Sequence, residues 1–241
     1  MILTFTKRAS AERGLSEISW LKSYHSFSFG DYHDFKHMGF GALRVINDDV
    51  IAPGAGFGMH GHRDMEIVTI VLSGALAHKD NIGNGTSILP YDVQRMSAGT
   101  GIEHSEFNAS QTDATRLLQI WVLPEVRGIK PSYEQKKIDV NDVQNKLCLI
   151  AARKDGAITI HQDLDLYRTQ IDSGKNVPFN IRANRRVWIQ VASGEAIVHG
   201  HALSEGDALA VVSDADEKAE AVVINLQSKT ACDLLIFDQP V

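Results

Sequence analysis

The chain has 241 residues, 44% of them hydrophobic, and a formal net charge of −6 at pH 7. That length suits one large or two modest domains with real cores, and the acidic balance argues against a nucleic-acid-binding module, which needs a basic face. Nowhere do about eighteen uncharged apolar residues run together as a membrane span, and Met1 to Arg8 carries no apolar leader region, so a cytoplasmic protein is expected. Cys148 and Cys232 lie in short apolar runs and read as buried reduced thiols.

Along the chain, helical periodicity is confined to a weak stretch over 10–21. Next, Phe27, Phe29, Tyr32, Phe35 and Phe40 surround His25, His33 and His37, an aromatic cluster read as core packing or a cavity wall. Strand signals then recur at 41–45, 67–72, 117–123, 147–151, 158–161, 187–192, 208–212, 221–224 and 234–237. Ser73-Gly74, Asn84-Gly85, Ser193-Gly194 and Glu205-Gly206-Asp207 read as turns between them. The spacing predicts an all-β chain with little helix. Val71–His78 is echoed by Val191–His199, which suggests a duplicated barrel. Between the halves, Pro124 to Pro131 combines helix breakers with charge, so the boundary falls at 128, giving domains 1–128 and 129–241. Arg182, Arg185 and Arg186 read as the solvated start of a strand rather than a binding patch, and 213–220 as a solvated acidic loop.

The chemistry concentrates at His60-Gly-His62, Glu66 and His104-Ser-Glu106. In a strand, side chains at i and i+2 leave the same face, so each pair can point together and two such pairs on neighbouring strands can surround one ion. Imidazole nitrogen and carboxylate oxygen suit a divalent first-row metal, and three histidines with one carboxylate resemble an extended form of the site of non-haem iron oxygenases. Both Glu66 and Glu106 share parity with nearby histidines. Glu106 is preferred as ligand because its stretch can stay extended, whereas Arg63-Asp64-Met65 interrupts the strand before Glu66. Glu66 is then either an outer carboxylate that accepts a ligand's distal ring N–H or a partner in an ordinary salt bridge. His199-Gly-His201 repeats the pattern in a hairpin turn with no His-x-Glu partner and reads as a decoy. His78 and His161 have no partner pattern and default to structural or surface roles.

These residues match a family. Gly54-x5-His60-x-His62-x3-Glu66 followed by Gly101-x2-His104-x3-Asn108 resembles the cupin pattern, with its glycine one residue late at Gly74 and Gly99 where a proline is expected. Tyr24–Phe29, Met38–Asn47, His60–Glu66 and Met96–Glu106 look like the pirin family, specifically its bacterial quercetin 2,3-dioxygenase-type members. Similarity continues through Tyr133-Glu-Gln135, His161-Gln-Asp163 and Arg185–Gln190, so it covers nearly the whole chain. The resemblance implies a bicupin, two jelly-roll β-barrels in tandem. It implies one divalent ion per chain, held in the N-terminal barrel by His60, His62, His104 and Glu106, with Glu66 not a ligand. The C-terminal barrel is degenerate and buttresses the first. Iron is the preferred metal; the same donors accept zinc, manganese, cobalt, nickel or copper.

The implied activity is O2-dependent ring opening of a flavonol such as quercetin, with loss of carbon monoxide. A Lewis-acidic ion lowers the pKa of a bound hydroxyl, and Glu106 is positioned as the base that takes its proton. Apolar walls for a planar substrate are sought in Phe27, Phe29, Phe40, Phe57 and Met59. Two other readings stand beside the enzyme: a metal-dependent regulatory protein acting through a protein partner, and a cupin enzyme acting on another metabolite.

Overall fold

Alternating apolar and polar residues with frequent β-branching give antiparallel strands through nearly the whole chain, as expected from the sequence. The computed structural model describes residues 2–214 and 219–241, so the middle of the acidic run 213–220 lies outside the described residues. Two compact units form: Arg13–Ile138 with Ala157–Gln162, and Met1–Glu12 with Asp139–Gly156 and Asp163–Val241. A single cut at 128 therefore does not delimit them. Strand β1 (Leu3–Arg8) pairs with a strand near the C-terminus, and residues 129–138 belong with the N-terminal strands.

The N-terminal unit begins at Arg13, within the stretch of weak helical period. A 3-10 turn at Ser10–Glu12 gives way to β2 (Gly14–Glu17) and β3 (Leu21–His25), paired antiparallel with Gly14 opposite His25. Gly14 is a poor helix former, and a Cβ there would collide with the Tyr32 ring, so tertiary packing overrides the weak period. The remaining strands are β4 (Leu43–Ile51), β5 (Gly56–His62), β6 (Glu66–Ser73), β7 (Leu76–Asp80), β8 (Gly85–Ile88), β9 (Asp92–Ser97), β10 (Ile102–Asn108), β11 (Thr115–Val122) and β12 (Ser132–Lys137). They form two sheets, in the orders β12-β9-β6-β11-β4-β3-β2 and β5-β10-β7-β8. Ile51, Val71 and Leu117 from the first close against Leu76 and Ile88 from the second, which is jelly-roll packing.

In the C-terminal unit, helix α1 (Val140–Val143), capped by Asp139, leads into β13 (Cys148–Ala152). The short β14 (Ile158–Thr159) lies in the segment that belongs to the N-terminal unit. Strands β15 (Asp165–Ile171), β16 (Asn176–Ile181), β17 (Arg185–Val198), β18 (His201–Ser204), β19 (Ala208–Ser213) and β20 (Val222–Pro240) complete it, in the order β1-β19-β17-β20-β15-β13 with β16 on β20 and β18 on β17. The runs 221–224 and 234–237, expected as separate strands, are two ends of β20. Ser193-Gly194 is a bulge inside β17 rather than a turn: the register with β20 shifts there, and Gly194, at φ 78°, has a neighbour in the Ala231 carbonyl that a Cβ would strike. Val187, Ile189, Leu209, Leu234 and Ile236 centre the core.

The arginine cluster is consumed internally, with Arg182 and Arg185 both paired to Asp238 at 2.7 Å. Both cysteines are free, Cys232 buried and Cys148 half-buried. Among the described residues, no helix is long and apolar enough to cross a membrane. Because β1 hydrogen-bonds along β19 from Leu3↔Ser213 to Arg8↔Ala208, deleting residues 2–12 opens that edge. The truncated protein is expected to unfold at lower urea concentration and to self-associate by light scattering; an unchanged urea midpoint would contradict the pairing.

Candidate metal centre

Strand β10 inverts the usual pattern. Ile102, His104, Glu106 and Asn108 are buried while Glu103 and Phe107 are exposed, so the strand puts an imidazole and a carboxylate inside the barrel and an aromatic ring outside. His104 is 1% exposed and Glu106 3%. Asn108 anchors the strand's end, its amide donating to the carbonyls of Ile51, Ala52 and Asp113. Gly56 lets β5 approach, since a Cβ there would strike the Glu106 carbonyl. Gly99 sits at φ 48°, which proline's ring forbids, so the departure from the cupin pattern has a backbone cause.

His60 and His62 leave the same face of β5, with His60 directly opposite His104 in register. Ring centroids of the three histidines are 4.5 Å (His60 to His104), 4.8 Å (His60 to His62) and 4.9 Å (His62 to His104) apart. One donor atom from each lies within 4.8 Å of the others, and His104, Glu106 and His78 form a second such group that shares His104. His60 Nδ1 donates to the Gly58 carbonyl at 2.8 Å, which leaves Nε2 with its lone pair. Neither ring nitrogen of His104 has a hydrogen-bond partner although both are buried. Orphaned buried nitrogens beside two further imidazoles and a carboxylate are the donor set a divalent first-row ion fits.

Glu106 is held from the opposite sheet. Gln119 Nε2 donates to Glu106 Oε2 at 2.8 Å, and Thr69 Oγ1 donates to Gln119 Oε1 at 2.8 Å, which fixes the amide's orientation. Burial pushes the Glu106 carboxyl up to about 7, against the Gln119 hydrogen bond. Burial, reinforced by neighbouring imidazoles, lowers His62 to about 4 and His104 to about 3. These two imidazoles are therefore neutral at pH 7, the state a metal requires.

A cavity of about 310 Å³ opens onto His60, His62 and Glu106. Its apolar wall is Leu21, Phe29, Phe57 and Trp121; its polar wall is Ser16, Ser23, His25, Asn47, Asp49 and Gln119. Of the aromatic candidates, Phe29 and Phe57 line it. Phe27 is buried in the core, and Phe40 and Met59 do not line it. His25 is on the cavity wall, bonded to Asn47 Oδ1 at 2.7 Å and Ser16 Oγ at 2.8 Å. Trp121, which packs edge-on to His62 at 4.9 Å, was not anticipated.

Glu66 is fully buried and belongs to neither metal-capable group: it accepts from Ser97 Oγ at 2.6 Å, His161 N at 2.6 Å and His161 Nδ1 at 2.7 Å. No hydrogen bond joins it to His60, His62 or His104, and its partner is the otherwise unassigned His161. His199 and Gly200, both at positive φ, form the hairpin turn joining β17 and β18. Phe5 stacks on His199 and His201 at 4.6 and 5.4 Å, and among the described residues both metal-capable groups lie in the N-terminal unit. Of the structural and surface roles open to His78, burial fits the structural one. His78 is buried beside His104 rather than at the surface.

Two jelly-roll units, one carrying an inward-facing cluster of three histidines and a glutamate beside an aromatic cavity, define a bicupin of the metal-binding class. Residues 6–122 match the family model for pirin, and 149–239 match that of the quercetinase C-terminal cupin domain. The chain is 46% identical over 97% of its length, and 97% of the relative's, to quercetin 2,3-dioxygenase of Escherichia coli K12. The crystal structure of the bacterial pirin YhhW from Escherichia coli in complex with nickel(II) superposes with a TM-score of 0.89 at 43% identity, covering 98% of this chain and 99% of that one. A quercetin 2,3-dioxygenase structure from Acinetobacter baumannii, at 19% identity and a TM-score of 0.77 over 100% of this chain and 88% of its own, shares the fold. The chain belongs to the pirin family.

Asp49 offers a test of the cavity's electrostatics. Burial raises its carboxyl to about 7, against a hydrogen bond from Ser23. The folded state thus holds a proton that the unfolded chain releases near pH 4. Its stabilising contribution is full below about pH 4 and is lost as pH rises through about 7. Urea unfolding of the metal-free proteins should show wild type losing, relative to Asp49→Asn, on the order of a few kcal/mol of stability between about pH 4 and 7. An identical slope in the variant would place the proton elsewhere.

Proposed function

We propose that the chain is a metal-dependent dioxygenase that opens the ring of flavonols such as quercetin. The observation that carries this is that His104 is shared by two groups of metal-capable donors, one with His60 and His62 and one with Glu106, and that His60, His62 and Glu106 line the aromatic-walled cavity. In this reading those four residues hold one divalent ion, with iron preferred. Support comes from the neutral, correctly protonated imidazoles and from the quercetin 2,3-dioxygenase and nickel-bound pirin that this chain is similar to.

When bound, the ion supplies Lewis acidity that makes a coordinated hydroxyl easier to deprotonate. Glu106 takes that proton. Gln119, itself fixed by Thr69, holds one carboxylate oxygen and so orients Glu106 at the cavity wall. Phe29, Phe57 and Trp121 pack the flat rings and exclude water, which strengthens every polar interaction at the site. O2 and the flavonol are the two substrates.

Oxygen uptake with quercetin by the iron-reconstituted protein tests the reading, with metal-free protein and His104→Ala as controls. Uptake is expected to require both iron and His104. Glu106→Gln keeps an oxygen donor but cannot accept the proton, so its uptake should fall by about a hundredfold or more. Full activity in that variant removes Glu106 as base. An iron-bound wild type that consumes no oxygen with quercetin sets the flavonol reading aside in favour of another metabolite or a regulatory role.

A further inference from the structure

On the side of β10 away from β5, strand β7 adds two more inward-facing polar residues. His78 stands opposite Glu106 in register, and Asp80 opposite His104. Neither side chain has any exposure. Asp80 is surrounded by donors: Oδ1 accepts the backbone N–H groups of Ile82 at 3.1 Å and Asn84 at 2.9 Å, and Oδ2 accepts the Asn84 side-chain amide at 2.8 Å. His78 Nε2 lies 3.3 Å from the same Oδ2. A carboxylate only accepts, so Nε2 carries the proton and Nδ1 keeps its lone pair. That Nδ1 is buried without a hydrogen-bond partner. Tyr133 packs on the ring at 4.9 Å, and its hydroxyl is tied to Gln135 at 2.7 Å, so the imidazole is braced from behind.

A histidine that gives one ring nitrogen to an ion carries a proton on the other, and this outer N–H needs an acceptor that fixes tautomer and ring angle. His60 has the Gly58 carbonyl. His104 has no partner on either nitrogen, and the lone pair of His78 is its neighbour: the ring centroids are 5.3 Å apart, and donor atoms of His78, His104 and Glu106 fall within 4.8 Å of one another. We propose that His78, oriented by Asp80, is a positioning residue of the metal centre and accepts the outer N–H of His104. The inference rests on the metal site proposed above and extends it by one layer of side chains. It needs no reaction chemistry, only the geometry of β7 against β10.

The test is nickel(II) titration of metal-free wild type, His78→Leu, His78→Asn and Asp80→Asn against a competing chelator. The asparagine carbonyl can stand where Nδ1 stands; leucine offers no acceptor. His78→Leu should bind one nickel per chain about tenfold to a hundredfold more weakly than wild type. His78→Asn should recover most of that loss, and Asp80→Asn should fall between them. In the zinc-loaded protein, the outer N–H proton of His104 should exchange with solvent slowly in wild type and His78→Asn and faster in His78→Leu. A merely structural role would lower the melting temperature without separating Leu from Asn in nickel affinity. Equal affinity in wild type and His78→Leu, or equal loss in Leu and Asn, overturns the proposal. So do two nickel ions in wild type with one lost in His78→Leu, which would make His78 a ligand. Absence of nickel binding in wild type would instead overturn the metal site itself.

Discussion

The site depends on the alternation of strand β10. A strand inside a jelly roll ordinarily turns apolar residues inward, and here two of the four inward positions are an imidazole and a carboxylate. Burying them costs free energy unless each is satisfied, so the neighbouring strands are committed to satisfying them. Strand β5 brings His60 and His62 from one side, β7 brings His78 and Asp80 from the other, and β11 reaches across the barrel with Gln119. A one-residue slip of β10 would turn Phe107 inward and His104 and Glu106 to solvent. Gly56 and Asn108 hold the register against that slip, the one by close approach and the other by three hydrogen bonds.

Because the candidate donor atoms are arranged by strand register rather than by loops, their arrangement is preformed. His62 and His104 are neutral, the Glu106 carboxyl is oriented by an amide whose own orientation is fixed, and the cavity beside them is walled by aromatic rings. Rigid placement of this kind reduces the reorganisation required when charge develops on a bound hydroxyl. The C-terminal unit uses the same architecture for another end. Its His199-Gly200 turn is a hairpin connection stacked on Phe5, and its inward positions are apolar.

Much of this was legible in the sequence because it is written in short periods. Parity alone aligned His60 with His62 and His104 with Glu106, and the regular spacing of β-branched runs gave the all-β class. What parity could not show is which strands become neighbours. His78-Lys-Asp80 carries the same i, i+2 signature as the recognised pairs, yet its meaning appears only when β7 is placed beside β10. Trp121 and Gln119 are in an apolar strand whose inner face is fixed by the opposite sheet. The role of Glu66 depended on a partner 95 residues away, His161. The unit boundary was obscured for the same reason, since β1 crosses to pair with β19 at a separation no local signal encodes. Ser193-Gly194 carries turn chemistry but serves a bulge, because pairing with β20 continues past it.

The most direct test of the central claim is anomalous scattering from crystals of the protein loaded with a first-row metal and measured at that metal's absorption edge. A single strong peak within coordination distance of His60, His62, His104 and Glu106 is the expected result. A principal peak at His199 and His201, or one whose ligands omit His104 and Glu106, would contradict the role assigned to β10.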